Sequence, residues 1–198
     1  MLLKELAKDY RIILASQSAR RKTLLEGLDI AFEVVVRDNI SEDFPRHFNM
    51  FEIPVYLAKY KSEFYTDLIN KKTIVITADT IVWHKNHLVG KPVDSDDASR
   101  ILHELSGGMH EVVTGVCLRT EGRMSAFYDH SKVFFRELTS EEIDYYVAAY
   151  KPFDKAGAYA IQEWIGYIGI ESIEGSFYNV MGLPVQMLNF ELIKFLKT

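Results

Sequence analysis

Apolar positions along the chain switch repeatedly between helical and strand-like spacing, and the switches divide it into elements. Residues 2–9 place Leu2, Leu3 and Leu6 at the spacing of a short helix, and Ile12 to Leu14 form an apolar run suited to a buried strand. Ser16, Gln17 and Ser18 interrupt that run. Leu24, Leu25 and Leu28 then recur at helical spacing, so either Ser16 or Ser18 is placed to cap a helix that begins with Arg20 and Arg21. Ala31 to Arg37 predicts a second strand, and the acidic stretch DNISEDFPRHF, broken by Pro45, predicts a loop. Pro54 suits the opening turn of a helix running to about Leu68, with Leu57, Tyr60, Phe64 and Leu68 along its apolar side.

Thr73 to Thr77 reads as a strand that stops at Asp79 and Thr80, with a second strand resuming to Trp83. Gly90-Lys91-Pro92 is a turn that holds a lysine in place. Asp94 to Leu105 predicts a helix with Ala98, Ile101, Leu102 and Leu105 inward, ended by Gly107-Gly108. Two strands follow, joined at Glu121-Gly122, and then a helix containing Ile143, Tyr146 and Val147 with Thr139 or Ser140 as its cap. Glycines 157, 166, 169, 175 and 182 punctuate an aromatic tract; they suit backbone passing close to a ligand or lobe junction, and equally suit tight packing. Beyond Pro184 an amphipathic helix closes the chain. Strands interspersed with helices predict an α/β architecture, and no repeat, low-complexity run or linker divides it.

Composition narrows the class. At 198 residues, the chain can build one core, or one domain pinched into two lobes, and we read residues 1–198 as a single domain. A formal charge of −5 excludes a general binder of polymeric nucleic acid, whose affinity comes from neutralising many phosphates, but leaves room for a small anion on a local cationic cluster. No apolar run is long enough to cross a membrane and the N-terminus lacks a signal-peptide pattern, so the expected location is cytoplasmic. The one cysteine, Cys117, reads as a small buried hydrophobe. His84, His87, His103 and His110 do not have the spacing of a compact metal-ligand set.

Two places in this pattern suggest chemistry. A strand end, a polar turn and a helix start expose unpaired backbone N–H groups to an anion, and Arg20 and Arg21 add charge there. Arginines in a first turn oppose the helix dipole, which disfavours them as plain surface decoration. Asp79, set among apolar residues, needs a metal, a lysine or a water network to offset its burial. Asp38, Glu42 and Asp43 arrive from a strand end and can face a site or solvent.

The order of motifs extends these hints. LASQSARR (14–21), LAKYK (57–61), ITADT (76–80), GKP (90–92), LSGGMHEVVTGV (105–116), DKAGAYAIQ (154–162) and GSFYNVMGLP (175–184) together resemble the Maf family of nucleoside triphosphate pyrophosphatases. The resemblance spans nearly the whole chain. It implies a mixed, strongly twisted central sheet in two lobes around a cleft, often within a homodimer. By the same resemblance, Ser16, Arg20 and Arg21 bind the triphosphate, and Glu42, Lys61 and Lys91 are the family's acid, helix lysine and turn lysine. Asp79 matches the proton acceptor. Arg20, Thr80 and Gln162 match the branch that hydrolyses dTTP and UTP. The family's usual proline is Ala19 here, which permits the same turn at some entropic cost.

The implied reaction cleaves between the alpha and beta phosphorus atoms and releases a nucleoside monophosphate and pyrophosphate. Its leaving group needs the cations, and magnesium, or another divalent cation such as manganese, suits the hard oxygens of Glu42 and Asp79. Glu42 then carries most of the metal contact while Asp79 readies water. Thr80 and Gln162 offer groups that can pair with a pyrimidine edge. The competing expectations are a pyrophosphatase for a modified purine triphosphate and a non-catalytic, nucleotide-binding regulator of division.

Overall fold

The computed structural model describes residues 2–197 and contains seven strands: β1 (Arg11–Leu14), β2 (Glu33–Val34), β3 (Thr73–His84), β4 (His87–Val89), β5 (Met109–Thr120), β6 (Arg123–Phe135) and β7 (Ile170–Glu174). They form one sheet in the order β2-β1-β3-β5-β6-β7, with β4 paired to β3. β1 runs parallel to β2 and β3, whereas β4 is antiparallel to β3 and β7 to β6, so the sheet is mixed. Helices α1 (Leu3–Ala7), α2 (Ala19–Glu26), α3 (Glu52–Glu63), α4 (Ser95–Leu105), α5 (Ser140–Tyr150), α6 (Trp164–Gly169), α7 (Phe177–Met181) and α8 (Val185–Lys197) flank it. The chain forms two compact units. The first holds residues up to Asp79, Thr114–Asp129 and the stretch from Gly182; the second holds Thr80–Val113 and His130–Met181.

In the first unit, Ile12, Ile13 and Leu14 are fully buried, as a short interior strand demands. The helix after it begins at Ala19 and buries Leu24 and Leu25, while Leu28 falls beyond its end. α3 differs from the expected stripe. Its buried side is Ile53, Pro54, Leu57, Ala58 and Ser62, and Phe64 is exposed. Pro54, Ala58 and Ser62 share that side with Ile53 and Leu57, and the helix lies almost against backbone there: a Cβ on Gly115 would sit 2.3 Å from the carbonyl carbon of Pro54. The Thr77 hydroxyl donates to the Ala58 carbonyl at 2.6 Å across the same contact. Cys117 is buried beside Ser62, and burial pushes its thiol pKa up.

Three further boundaries differ from expectation. The second strand shrinks to Glu33–Val34, because after Val35 N donates to the Leu14 carbonyl the chain turns to give Arg37 N to the Tyr65 hydroxyl. Asp79 does not follow a strand end. β3 is continuous from Thr73 to His84, so the carboxyl is held by a rigid element rather than by a loop. In α1 the buried positions are Leu3 and Ala7, and Leu2 is exposed.

In the second unit α4 buries Ala98, Ile101, Leu102 and Leu105, the stripe that spacing predicts, and Asp94 caps it through Asp97 N. α4 packs on α5 and on the one-turn 3₁₀ segment Ala156–Ala158. Thr139 and Glu142 form a reciprocal capping box at the start of α5, and Arg136 joins Glu142 at 2.7 Å. That guanidinium holds the Glu142 carboxyl down at about 2. Of the aromatic tract, Tyr146 and Tyr159 enter the core, while Tyr145, Tyr150, Phe153, Tyr167, Phe177 and Tyr178 are exposed.

Candidate functional site

Six of the nine candidate residues gather in the first unit. The turn after β1 is built by two serines in series: Ser16 Oγ accepts from Ser18 N at 3.2 Å, and Ser18 Oγ accepts from Arg21 N at 3.3 Å. Ser18 is therefore the cap of α2, and Ser16 shapes the turn before it. The Arg21 Nε donates to the Gly182 carbonyl at 2.8 Å, which orients its guanidinium. Burial lowers the Arg21 pKa, Arg20 adds to that effect, and attraction to Asp79 and Glu42 opposes it. These four side chains thus share one electrostatic neighbourhood.

Lys61, on α3, completes the group. Its Nζ lies 2.7 Å from Glu42 Oε1, in the acidic loop, and 2.6 Å from Asp79 Oδ1, on β3. Asp79 is almost wholly buried. Burial raises the affinity of its carboxyl for a proton; Lys61 and Arg21 pull the other way, Glu42 adds to the rise, and the net direction is upward. A carboxylate of raised basicity, fixed on a strand beside movable cations, is suited to taking a proton from water.

Glu42 and Asp79 converge on the same ammonium, so one cation already draws both carboxylates together. Among the described residues no cluster of three or more His, Cys, Asp or Glu side chains could hold a metal, and the two carboxylates that meet Lys61 are the hard oxygen donors at this place. That donor set fits a magnesium ion, which binds through one or two carboxylates and takes its remaining ligands from phosphate and water.

The other three candidates belong to the second unit. Thr80 is half-buried and Lys91 exposed; the turn carrying Lys91 is tied down where Gly157 N donates to the Gly90 carbonyl at 3.1 Å. Gln162 is half-buried, and its Oε1 is buried with no hydrogen-bond partner. A buried amide oxygen without a donor costs about 1–3 kcal/mol, which a ligand N–H could offset.

A second polar group in this unit escaped the sequence reading. Lys155 is buried, with Nζ 2.7 Å from Asp154 Oδ1 and 3.6 Å from Glu163 Oε1. The Tyr146 hydroxyl donates to Glu163 Oε2 and accepts from Ala160 N at 3.2 Å. Spacing places Tyr146 in a helix with Ile143 and Val147 and assigns nothing to its hydroxyl. The available signal was the phenol itself, since a buried tyrosine hydroxyl requires a partner. The histidines are separately engaged: His84 Nδ1 meets the Met109 carbonyl at 2.9 Å, His87 pairs with Glu104 at 2.8 Å, and His110 Nε2 meets the Tyr159 hydroxyl at 2.7 Å.

Comparison with known proteins places this geometry in context. The family model described as "Maf-like protein" matches residues 11–195. A dTTP/UTP pyrophosphatase of Parabacteroides distasonis is 52% identical over 95% of this chain and 97% of its own length. One from Phocaeicola vulgatus is 51% identical over 98% of this chain and all of its own length, and one from Flavobacterium johnsoniae is 43% identical over 92% and 94%. Among solved structures, a HAM1 protein from Coxiella burnetii aligns over 93% of this chain and 99% of its own, with 13% identity and a TM-score of 0.46.

Proposed function

Because the chain belongs to the Maf-like family, we propose that it hydrolyses nucleoside triphosphates, with dTTP and UTP as substrates, to the monophosphate and pyrophosphate. The observation that carries the reading is Lys61 held between Glu42 and Asp79 beside Arg21. Lys61, Arg20 and Arg21 bring three cations to this place for a triphosphate. Arginine grips phosphate oxygens with a rigid fork, and Lys61 supplies a point charge that can move from carboxylate to phosphate when substrate enters. Ser16 lines the turn that presents those arginines. Asp79, with its raised proton affinity, takes the proton of the attacking water as a bond forms to the alpha phosphorus. The bond to the bridging oxygen breaks, and the negative charge that develops on the leaving pyrophosphate is met by the arginines and lysines, Lys91 included.

Glu42 and Asp79 would hold a magnesium ion, which supplies charge neutralisation on the phosphates and acidifies bound water. In the same proposal Thr80 and Gln162 read the base. The unpaired Gln162 Oε1 suits the N3–H of thymine or uracil, a donor that an unprotonated N3 of cytosine lacks. A homodimer in a cytoplasmic setting completes the reading. The decisive assay incubates purified protein with magnesium and a panel of triphosphates and separates pyrophosphate from orthophosphate. We expect pyrophosphate as sole inorganic product, dTTP and UTP as preferred substrates, and loss of turnover on chelation. Stepwise orthophosphate release would overturn the cleavage site.

A further inference from the structure

We propose that the Tyr146 hydroxyl positions the turn carrying Gln162 and thereby sets the discrimination between pyrimidine and purine triphosphates; this rests on the reading of Gln162 given above. Gln162 is the third residue of a tight turn, Ala160 to Glu163, closed where Glu163 N donates to the Ala160 carbonyl at 3.0 Å. A single oxygen ties both ends of that turn. Tyr146 Oη accepts from Ala160 N at one end and donates to the Glu163 carboxylate at the other.

The segment entering the turn is strained. Gly157 and Ala158 are both left-handed, at φ of 71° and 57°. An L-residue there costs about 1–2 kcal/mol, so surrounding contacts must hold it. The Tyr159 hydroxyl, joined to His110, and the Lys155 ammonium, between Asp154 and Glu163, supply two of those contacts. Glu163 stands at the start of α6, and its carboxylate is directed back to Tyr146. Such an arrangement spends polar groups on the placement of one short turn. Base recognition through an amide depends on that placement, because a displacement of about 1 Å at a positioned group can cost roughly a hundredfold in rate.

Tyr146→Phe tests the inference, since it removes one oxygen and keeps the ring stacked on Tyr150. Steady-state kinetics are measured with dTTP, UTP, dATP and dGTP in magnesium. Tyr146→Phe is expected to raise KM for dTTP and UTP about tenfold with kcat changed less than about threefold, and to lower the pyrimidine-to-purine ratio of kcat/KM about tenfold. An equal fall for all four substrates, or a ratio unchanged within about twofold, would mean that Tyr146 is merely structural and would overturn the proposal. Wild-type protein that turns over all four equally overturns the reading of Gln162 itself, a failure visible before any variant is made. If Tyr146→Phe does not fold, Glu163→Ala is judged by the same ratio. Glu163→Gln, which keeps an acceptor for the hydroxyl, should restore most of it.

Discussion

Two lysine–carboxylate groups, one in each unit, look alike on paper and differ in what their charge leaves over. In the first unit Lys61 touches Glu42 and Asp79 with Arg20 and Arg21 close by, so cations outnumber carboxylates three to two. In the second, Lys155 touches Asp154 and Glu163, and Glu163 also accepts from the neutral Tyr146 phenol, so within these contacts one cation meets two carboxylates. The lysines are similarly shielded, with 16% and 9% of their side chains exposed, so burial does not separate them. Residual charge does. A positive remainder attracts a triphosphate, whereas a negative one repels it and serves to hold backbone in place. A lysine between two acids is therefore no signature by itself; the neighbours decide its use.

The comparison breaks first at Asp79. Asp79→Asn keeps the shape and removes the proposed proton acceptor, and should lower kcat about 10²–10⁴-fold in pyrophosphate release, with little change in the melting temperature because a buried charge is also removed. Nearly full turnover would end the claim that the first group is chemical. At Lys155 the expected effect is on folding. Lys155→Met should cost roughly 2–3 kcal/mol in urea unfolding by leaving the shielded Glu163 carboxylate without its cation, while kcat per folded molecule falls less than about tenfold. A larger loss of kcat at unchanged stability would put Lys155 in the reaction.

The smallest effect sharpens the scaffold side. Burial pulls the His110 imidazole down to about 3 from its ordinary 6.5. The unfolded chain therefore binds the proton that the folded one refuses, and stability falls as pH drops from 6.5 toward 3. The contribution is on the order of 2 kcal/mol by about pH 4.5. His110→Phe should flatten that part of the curve of unfolding free energy against pH, even if loss of the Tyr159 contact lowers the whole curve. An unaltered slope would show that His110 is not the group responsible.

Much of the first group was legible from the chain alone. An aspartate amid β-branched residues must find a counter-charge, and serines before a helix cap or shape its start. Local spacing likewise predicts the buried stripe of α4 and a cap at Thr139 or Ser140 for α5, which falls to Thr139, because both depend on residues three or four apart. The second group was not legible, since Tyr146, Lys155 and Glu163 are separated in sequence and each has an ordinary reading on its own.

What the sequence by itself determined is the inventory: which segments are helices and strands, which ionisable groups sit where water is scarce, and which family order the motifs follow. Tertiary structure decided the partners. It made β3 run through Asp79, brought Pro54 of α3 close against Gly115, gave the cap to Ser18 and joined both ends of the Gln162 turn to one hydroxyl. The reason is range. Propensity and periodicity act within a turn or two of chain, whereas packing distance and the pairing of buried polar groups are settled only when remote segments meet.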